Sequence, residues 1–360
     1  MKAILGFSGG IDSAMAAHFL REEGYQVLPV TFVFSAENRA ETLLHARKAA
    51  RILGLDTPVI VDKTDLFRAK VIDSFLCFYK QGMTPNPCVS CNEQVKFKAL
   101  FEMAAKLRCE TVATGHYARI GGVNRGSLLR GIDPKKDQSY MLYRLHSRLY
   151  GKIRFPLGCR TKEEVKESAG ELFPPLNETT TESSDLCFLS KGQLPYFLEK
   201  NVKDRPGGIY STDGEYLGSH QGLSRYTIGQ RQGLGLPGGP WFVTAKDSRA
   251  NRLVVGRRKD LAVNVIECFD SVFHEDLHAG QIVSMRHRYR ASFVNSEILA
   301  VSHGKFRLFC LEPAYGVAPG QSVVLYSGER TLGGGIIEKT YWRRPSHDAN
   351  TPLTESRGSS

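Results

Sequence analysis

The chain of 360 residues has no apolar run approaching the ~20 residues needed to cross a bilayer, which argues against a helical membrane protein. Its first apolar stretch, residues 1–7, stops at Ser8-Gly9-Gly10. That is too short for the core of a secretory signal, and no small-residue cleavage site follows. A cytoplasmic enzyme is expected. There is no internal repeat and no coiled-coil pattern, so solenoids and long helical rods are excluded. Acidic residues are the minority, 37 against 48 Lys and Arg, leaving a net charge of +11. Such an excess favours a polyanionic partner, above all nucleic acid, because each neutralised phosphate releases counterions. Hydrophobic residues make up 41%, enough for packed cores and too many for a disordered chain. The length suits two or three domains. Eight cysteines without a secretory signal are expected to be reduced thiols, most of them small buried side chains and a few chemical.

What is present first is a rhythm. Residues 2–7, 26–34, 58–61 and 111–114 read as strands, and 13–23, 37–53, 65–79 and 92–107 as helices. This alternation predicts an α/β fold, a doubly wound parallel sheet with helices on both faces. A helix at 163–170 precedes a loop rich in Thr, Ser and Glu. After Pro206 glycine becomes frequent and the strands shorten: 241–245, 253–255, 281–284, 297–301, 305–311, 322–326 and 335–339. The expected division is a catalytic α/β domain at 1–195, a small central β-rich domain at 196–262, a C-terminal β-barrel-like domain at 263–345 and a disordered tail at 346–360.

Ser8-Gly9-Gly10-Ile11-Asp12-Ser13 lies between the first strand and the first helix. Glycines there allow close backbone approach, and the helix N-terminus with its exposed N–H groups makes an anion site. No G-K-[ST] follows, so this is not the loop that handles a γ-phosphate through its lysine. The S-G-G-x-D-S pattern resembles the PP-loop ATP pyrophosphatases, which release pyrophosphate and leave AMP on the substrate. The resemblance implies a loop that holds the departing pyrophosphate with Mg²⁺, and Asp12 is the candidate to help hold that ion.

A second segment, Thr84-Pro85-Asn86-Pro87-Cys88-Val89-Ser90-Cys91-Asn92, stiffens a loop with two prolines and runs into the helix expected from Asn92. Cys91 at that helix N-terminus would have its thiol pKa lowered from ~8.5 toward neutrality. Cys187 follows the polar loop inside the apolar run Leu186-Cys187-Phe188-Leu189.

T-P-N-P-C-V-x-C-N, G-H-Y-A-R at 115–119, K-D-Q-S-Y at 136–140, L-C-F at 186–188, Y-T-I-G-Q-R-Q-G-L at 226–234, P-G-Q-S-V at 319–323 and G-G-G-I-I-E at 333–338 occur in this order. Together they resemble the bacterial tRNA-specific 2-thiouridylases from about residue 6 to 339. The resemblance implies that ATP lies against Gly6, Phe7, Ser8, Gly9, Gly10, Ile11, Asp12, Ser13, Phe32 and Gly115. It implies that the wobble uridine of Lys, Glu and Gln tRNAs is adenylylated on O2 and meets Asn86, Pro87 and Cys88. Cys187 would carry a persulfide received from a donor protein or cysteine desulfurase. Cys91 would be the nucleophile that helps release this sulfur and closes a transient disulfide with Cys187. His116, Lys136, Asp137, Gln138, Arg288, Tyr289 and Gln321 would touch tRNA. Basic residues also gather at Arg249, Arg252, Arg257, Arg258 and Lys259 and again at 286–290, where arginine beside tyrosine suits phosphate contact and stacking.

Three departures stand out. Phe32 replaces a methionine common in the family, Ser-Ser-Asp-Leu precedes Cys187 where Ser-Thr-Gly-Ile is commoner, and Cys88 stands where some members have Asp. The cysteine at 88 opens an alternative in which Cys88, Cys91 and Cys187 ligate an iron–sulfur cluster with one open iron site; zinc, lacking an evident fourth ligand, is the weaker option.

Overall fold

A computed structural model describes residues 1–122, 126–176, 186–190 and 192–343. The expected tail at 346–360 and the Thr/Ser/Glu loop before Cys187 lie outside the described residues. The first strands are β1 (Lys2–Gly6), β2 (Gln26–Val33), β3 (Val59–Asp62) and β4 (Thr111–Thr114). They are followed by a hairpin of β5 (Ala118–Gly121) and β6 (Ser127–Arg130) and by the short β7 (Ile153–Arg154). The order β3-β2-β1-β4-β7 is parallel throughout, as the alternation predicts.

Alternation along β1 shows why the sheet is covered twice. Ala3 and Leu5 face a core with Ala14, Ala17, Ala46 and Ala50 from the helices Ile11–Glu22 and Arg39–Ile52. Ile4 faces Phe97, Leu100 and Ala104 of the helix Phe97–Lys106 on the other side. The alanines let two helix backbones approach closely, and each fully buried large side chain, such as Ile4, contributes about 1.5–3 kcal/mol. The chain runs outward from β1 through β2 and β3, then returns to β4 on the opposite side of β1. The strand order therefore reverses between β1 and β4.

β8 (Gly207–Ser211), β9 (Tyr216–His220), β10 (Phe242–Asp247) and β11 (Arg252–Gly256) form a central sheet, ordered β10-β11-β8-β9, over Ile209, Val243, Leu253 and Val255. Then come β12 (Ala262–Phe273), β13 (Ile282–Arg286), β14 (Val294–Ser302), β15 (Lys305–Tyr315), β16 (Ser322–Ser327) and β17 (Arg330–Tyr341). Because β12 pairs with both β15 and β17, these six close into a barrel without a free edge. The G-G-G-I-I-E motif belongs to this closure. Gly333 has φ +130°, and a Cβ there would stand 2.1 Å from the Val272 carbonyl oxygen on β12.

Two features differ from the expectation. The hairpin β5–β6 extends the barrel sheet through a pairing of Leu129 with Arg330, so the catalytic and barrel domains share one sheet. The helix expected from Asn92 begins at Pro87. It runs as Pro87–Cys91, a π-helical turn Asn92–Lys96 and then Phe97–Lys106. Asn86 caps it by accepting from Cys88 N at 3.1 Å, and Pro87 sits where a missing N–H costs nothing.

Candidate active site

β1 ends at Gly6, Phe7 is buried, and the chain turns through Ser8-Gly9-Gly10 into the helix at Ile11. The Ser13 hydroxyl ties this turn. It accepts from the N–H of Ser8 at 3.2 Å and of Gly9 at 3.1 Å, and donates to the Gly10 carbonyl at 2.9 Å. Gly9 has φ +83°, and a Cβ there would stand 2.6 Å from the His45 backbone. The first helical bond runs from Ala14 N to Gly10 O, so the N–H groups of residues 11–13 have no acceptor within the helix. β4 delivers Gly115 beside them, so close that a Cβ would stand 3.0 Å from the Asp12 carbonyl oxygen. The loop and Gly115 thus meet at the reversal of strand order, where open parallel sheets take ligands. Phe32 is half-buried near the end of β2, stacked 5.8 Å from Phe34.

The Asp12 carboxylate accepts from Lys162 Nζ at 2.5 Å and from Tyr117 OH at 2.8 Å. The expectation that Asp12 helps hold Mg²⁺ therefore meets a competitor, because a lysine already neutralises it. Lys162 opens the helix Lys162–Leu172, fixed by a capping box between Thr161 and Glu164. Neither Lys162 nor Tyr117 is a candidate on sequence grounds. The capping box T-K-E-E is legible, but nothing in it tells that Lys162 faces a residue 150 positions away.

The thiols form a second group. Cys91 closes the short helix that Pro87 opens, so the expected lowering of its pKa is corrected: the dipole favours an anion in the first turn only. Burial dominates instead and pushes the Cys91 thiol up to about 12 and the Cys88 thiol up to about 11. Phe188 wedges edge-on against Phe67 (5.8 Å) and Phe75 (5.7 Å), in the cluster that also buries Cys91 and Val95. This seats the neighbouring Cys187 where its charge acts on both Cys88 and Cys91. Cys187 is exposed as a residue, while the protein packed around its segment still raises its thiol. The Lys96 ammonium opposes burial at all three sulfurs. It also acts on His116, whose ring lies 6.1 Å from that of Phe97, so the thiol group adjoins the crevice. Lys96 is a further residue that motif reading passes over.

The eight cysteines are free, but only Cys91, Cys268 and Cys310 are buried, fewer than expected. Among the described residues no three His, Cys, Asp or Glu side chains are grouped so as to hold a metal ion. As placed, Cys88, Cys91 and Cys187 do not fit an iron–sulfur cluster.

The residues expected to touch RNA divide. Lys136 and Arg288 are exposed, and Tyr289 is half-buried with its hydroxyl donating to the Lys136 carbonyl at 3.3 Å. Asp137 is 1% exposed and its carboxylate is fully engaged. It accepts from Arg286 Nη1 and from the N–H of Gly131 and Ser139, each at 3.1 Å, with Arg130 Nε at 3.5 Å. In this placement the Asp137 side chain joins the catalytic domain to the barrel. Gln138 Oε1 accepts from Tyr117 N at 2.9 Å. His116 is buried, hydrogen-bonded to Thr114 at 2.7 Å and held neutral by burial, so it offers no charge to a phosphate. Gln321 donates to the Thr84 carbonyl at 2.8 Å. Of the cluster 286–290, Arg286 and His287 are buried and Arg288 and Arg290 are exposed. Arg249, Arg252, Arg257, Arg258 and Lys259 are exposed, with Arg257 stacked 4.1 Å over Trp241. Among the described residues no helix is long and apolar enough to cross a membrane.

Family models match three stretches: "tRNA methyl transferase HUP domain" at residues 1–191, "tRNA methyl transferase PRC-barrel domain" at 195–257 and "Aminomethyltransferase beta-barrel domain" at 266–337. A tRNA-specific 2-thiouridylase MnmA from Helicobacter acinonychis is 36% identical over 345 residues, 94% of this chain and 100% of that one. That of Moorella thermoacetica is 38% identical over 355 residues, covering 93% of this chain and 99% of its own. That of Nitrosomonas eutropha is 36% identical, covering 93% and 98%. With its phosphate loop at the sheet's reversal point, its gathered thiols and these full-length likenesses, the chain belongs to the tRNA-specific 2-thiouridylases, sulfurtransferases that modify tRNA.

Proposed function

We propose that the protein activates the wobble uridine of Lys, Glu and Gln tRNAs with ATP in the cytoplasm and replaces its O2 with sulfur. The observation that carries this reading is the convergence of Cys88, Cys91 and Cys187 beside the crevice formed by the Ser8–Ser13 turn and Gly115. Methyl transfer, the wording of the family description, would leave those thiols without a task.

In the proposed sequence, O2 attacks the α-phosphorus of ATP and pyrophosphate leaves toward the N–H groups of residues 11–13. Mg²⁺ would offset charge there, and Lys162 is the cation already in place. The uridine lies against Asn86, Pro87 and Cys88. A donor protein or cysteine desulfurase loads sulfane sulfur on Cys187. The terminal persulfide sulfur attacks C2 and AMP leaves. The Cys91 thiolate then attacks Cys187 Sγ, so the S–S bond to the base breaks and 2-thiouridine departs. A Cys91–Cys187 disulfide remains, to be reduced by an external thiol. Arg288, Tyr289 and Lys136 supply the RNA contacts that their exposure allows.

The test uses purified protein with ATP, Mg²⁺, unmodified tRNA and a persulfide donor. Cys187→Ser is expected to release pyrophosphate in a tRNA-dependent manner while incorporating no sulfur. Sulfur incorporation by that variant, or a modified nucleoside other than wobble 2-thiouridine, rejects the scheme. Stoichiometric iron and sulfide in anaerobically purified active protein would favour the cluster route instead.

A further inference from the structure

The barrel turn 319–321 grips the chain just ahead of the thiol helix. Thr84 N donates to the Pro319 carbonyl at 2.8 Å, and Gln321 Nε2 donates to the Thr84 carbonyl at 2.8 Å. The barrel thus satisfies both backbone polar groups of a residue that lies two positions before the cap Asn86. The grip is close. Gly320 has φ +91°, and a Cβ there would stand 2.9 Å from both Met83 Cβ and Thr84 N. The turn is itself anchored to the catalytic domain, because Tyr140 OH donates to the Ser322 carbonyl at 2.8 Å and Tyr143 OH lies 3.2 Å from the Ser322 hydroxyl.

We infer that Gln321 is a positioning residue, which fixes the register of the thiol helix by holding Thr84. One of its two amide N–H donors is committed to a backbone carbonyl inside the protein. The helix it sets carries Cys88 and Cys91 at its second and fifth residues. Val89, between them, packs with Val324 and Tyr326 of the same barrel strand, so the turn and the strand act on the helix together. The barrel is in this way a structural part of the sulfur site. The functional consequence rests on the proposed role of Cys91 in sulfur transfer; the mechanical one does not.

The test compares Gln321→Ala and Gly320→Ala with the wild-type chain, each checked for folding by thermal melting. Gly320→Ala removes no side chain that could touch RNA, and its added methyl would push the turn off Thr84. Iodoacetamide labelling of Cys88 and Cys91, mapped by mass spectrometry, and hydrogen exchange over residues 83–92 are read on the free protein without RNA. Affinity for unmodified tRNA is read separately. Both variants are expected to label and exchange about fivefold faster, the worth of one hydrogen bond, with tRNA affinity unchanged in Gly320→Ala. Unchanged labelling and exchange in Gln321→Ala overturns the inference, and so does a loss of tRNA affinity with labelling unchanged. Wild-type sulfur transfer in a variant whose thiol helix has loosened would instead count against the role given to Cys91.

Discussion

Replacing Asp137 separates a joint from a reader of RNA. Its carboxylate has no exposed surface, and it compensates Arg286, whose side chain is itself 9% exposed. Both Arg286 and Arg130 lie over the Phe293 ring, at 4.1 and 4.5 Å, and Arg286 has little access to water. Asp137→Ala therefore strands a buried guanidinium and two buried N–H groups. Breaking such a pair from one side costs about 3–5 kcal/mol. At roughly 2 °C per kcal/mol for a chain of this size, the melting midpoint should fall by about 6–10 °C. Arg286→Ala should fall similarly, and the double variant should lose less than the sum, since no charge is then left alone. The assays are thermal unfolding by intrinsic fluorescence and filter binding of unmodified tRNA. An Asp137→Ala protein that melts within about 1 °C of wild type, well short of the shift expected from the lost pair, while losing tRNA affinity would refute the joint and favour the contact.

Three further outcomes are expected. Lys162→Met should slow tRNA-dependent pyrophosphate release about 100-fold, the usual worth of a charge placed at a transition state, without moving the melting midpoint downward in proportion; full activity would remove Lys162 from the site. Because burial raises Cys88 and Cys91, their thiolates are scarce below about pH 11, and labelling of Cys91 by iodoacetamide should keep rising through pH 10. A plateau near pH 8.5 would show an unperturbed thiol. Gly9→Ala cannot keep φ +83° and the His45 contact together, so the ATP-induced rise in melting midpoint should vanish; a retained rise would show that the turn is not the nucleotide site.

Much of the fold was legible because it rests on periodicity and local chemistry. Ala3-Ile4-Leu5 reads as a strand buried on both faces, and Ser8-Gly9-Gly10 announces a turn that only glycine permits. What escaped depends on partners far apart in the chain. Leu129 pairs with Arg330, and Lys162 meets Asp12, through contacts that no local pattern encodes. The polarity of Asp137 suggests a surface, yet two arginines and two N–H groups make its burial affordable. For Cys91 the reading placed the helix start one turn late: Asn86-Pro87 is itself a cap and first-turn signal, and moving the start to Pro87 takes the thiol out of the dipole and into a packed core.

That helix also explains how one element can serve two domains. Successive residues turn by about 100°, so Val89 and Cys91 point some 200° apart. Val89 and Glu93 share one face: the first packs on Val324 and Tyr326, and the second accepts from Arg144 Nε at 2.8 Å, while Arg144 Nη1 donates to the Asp270 carbonyl of the barrel at 2.6 Å. Cys91 and Val95 share the opposite face, against Phe67 and Phe188. The π-helical turn at Asn92–Lys96 then changes the phase, so that Phe97 and Leu100 meet the parallel sheet. A regular helix would have carried one of these three faces out of register. The inserted turn is what allows the barrel, the thiols and the sheet each to keep a face of one continuous helical segment, and it ties the position of the thiols to the domain that presents Arg288 and Tyr289.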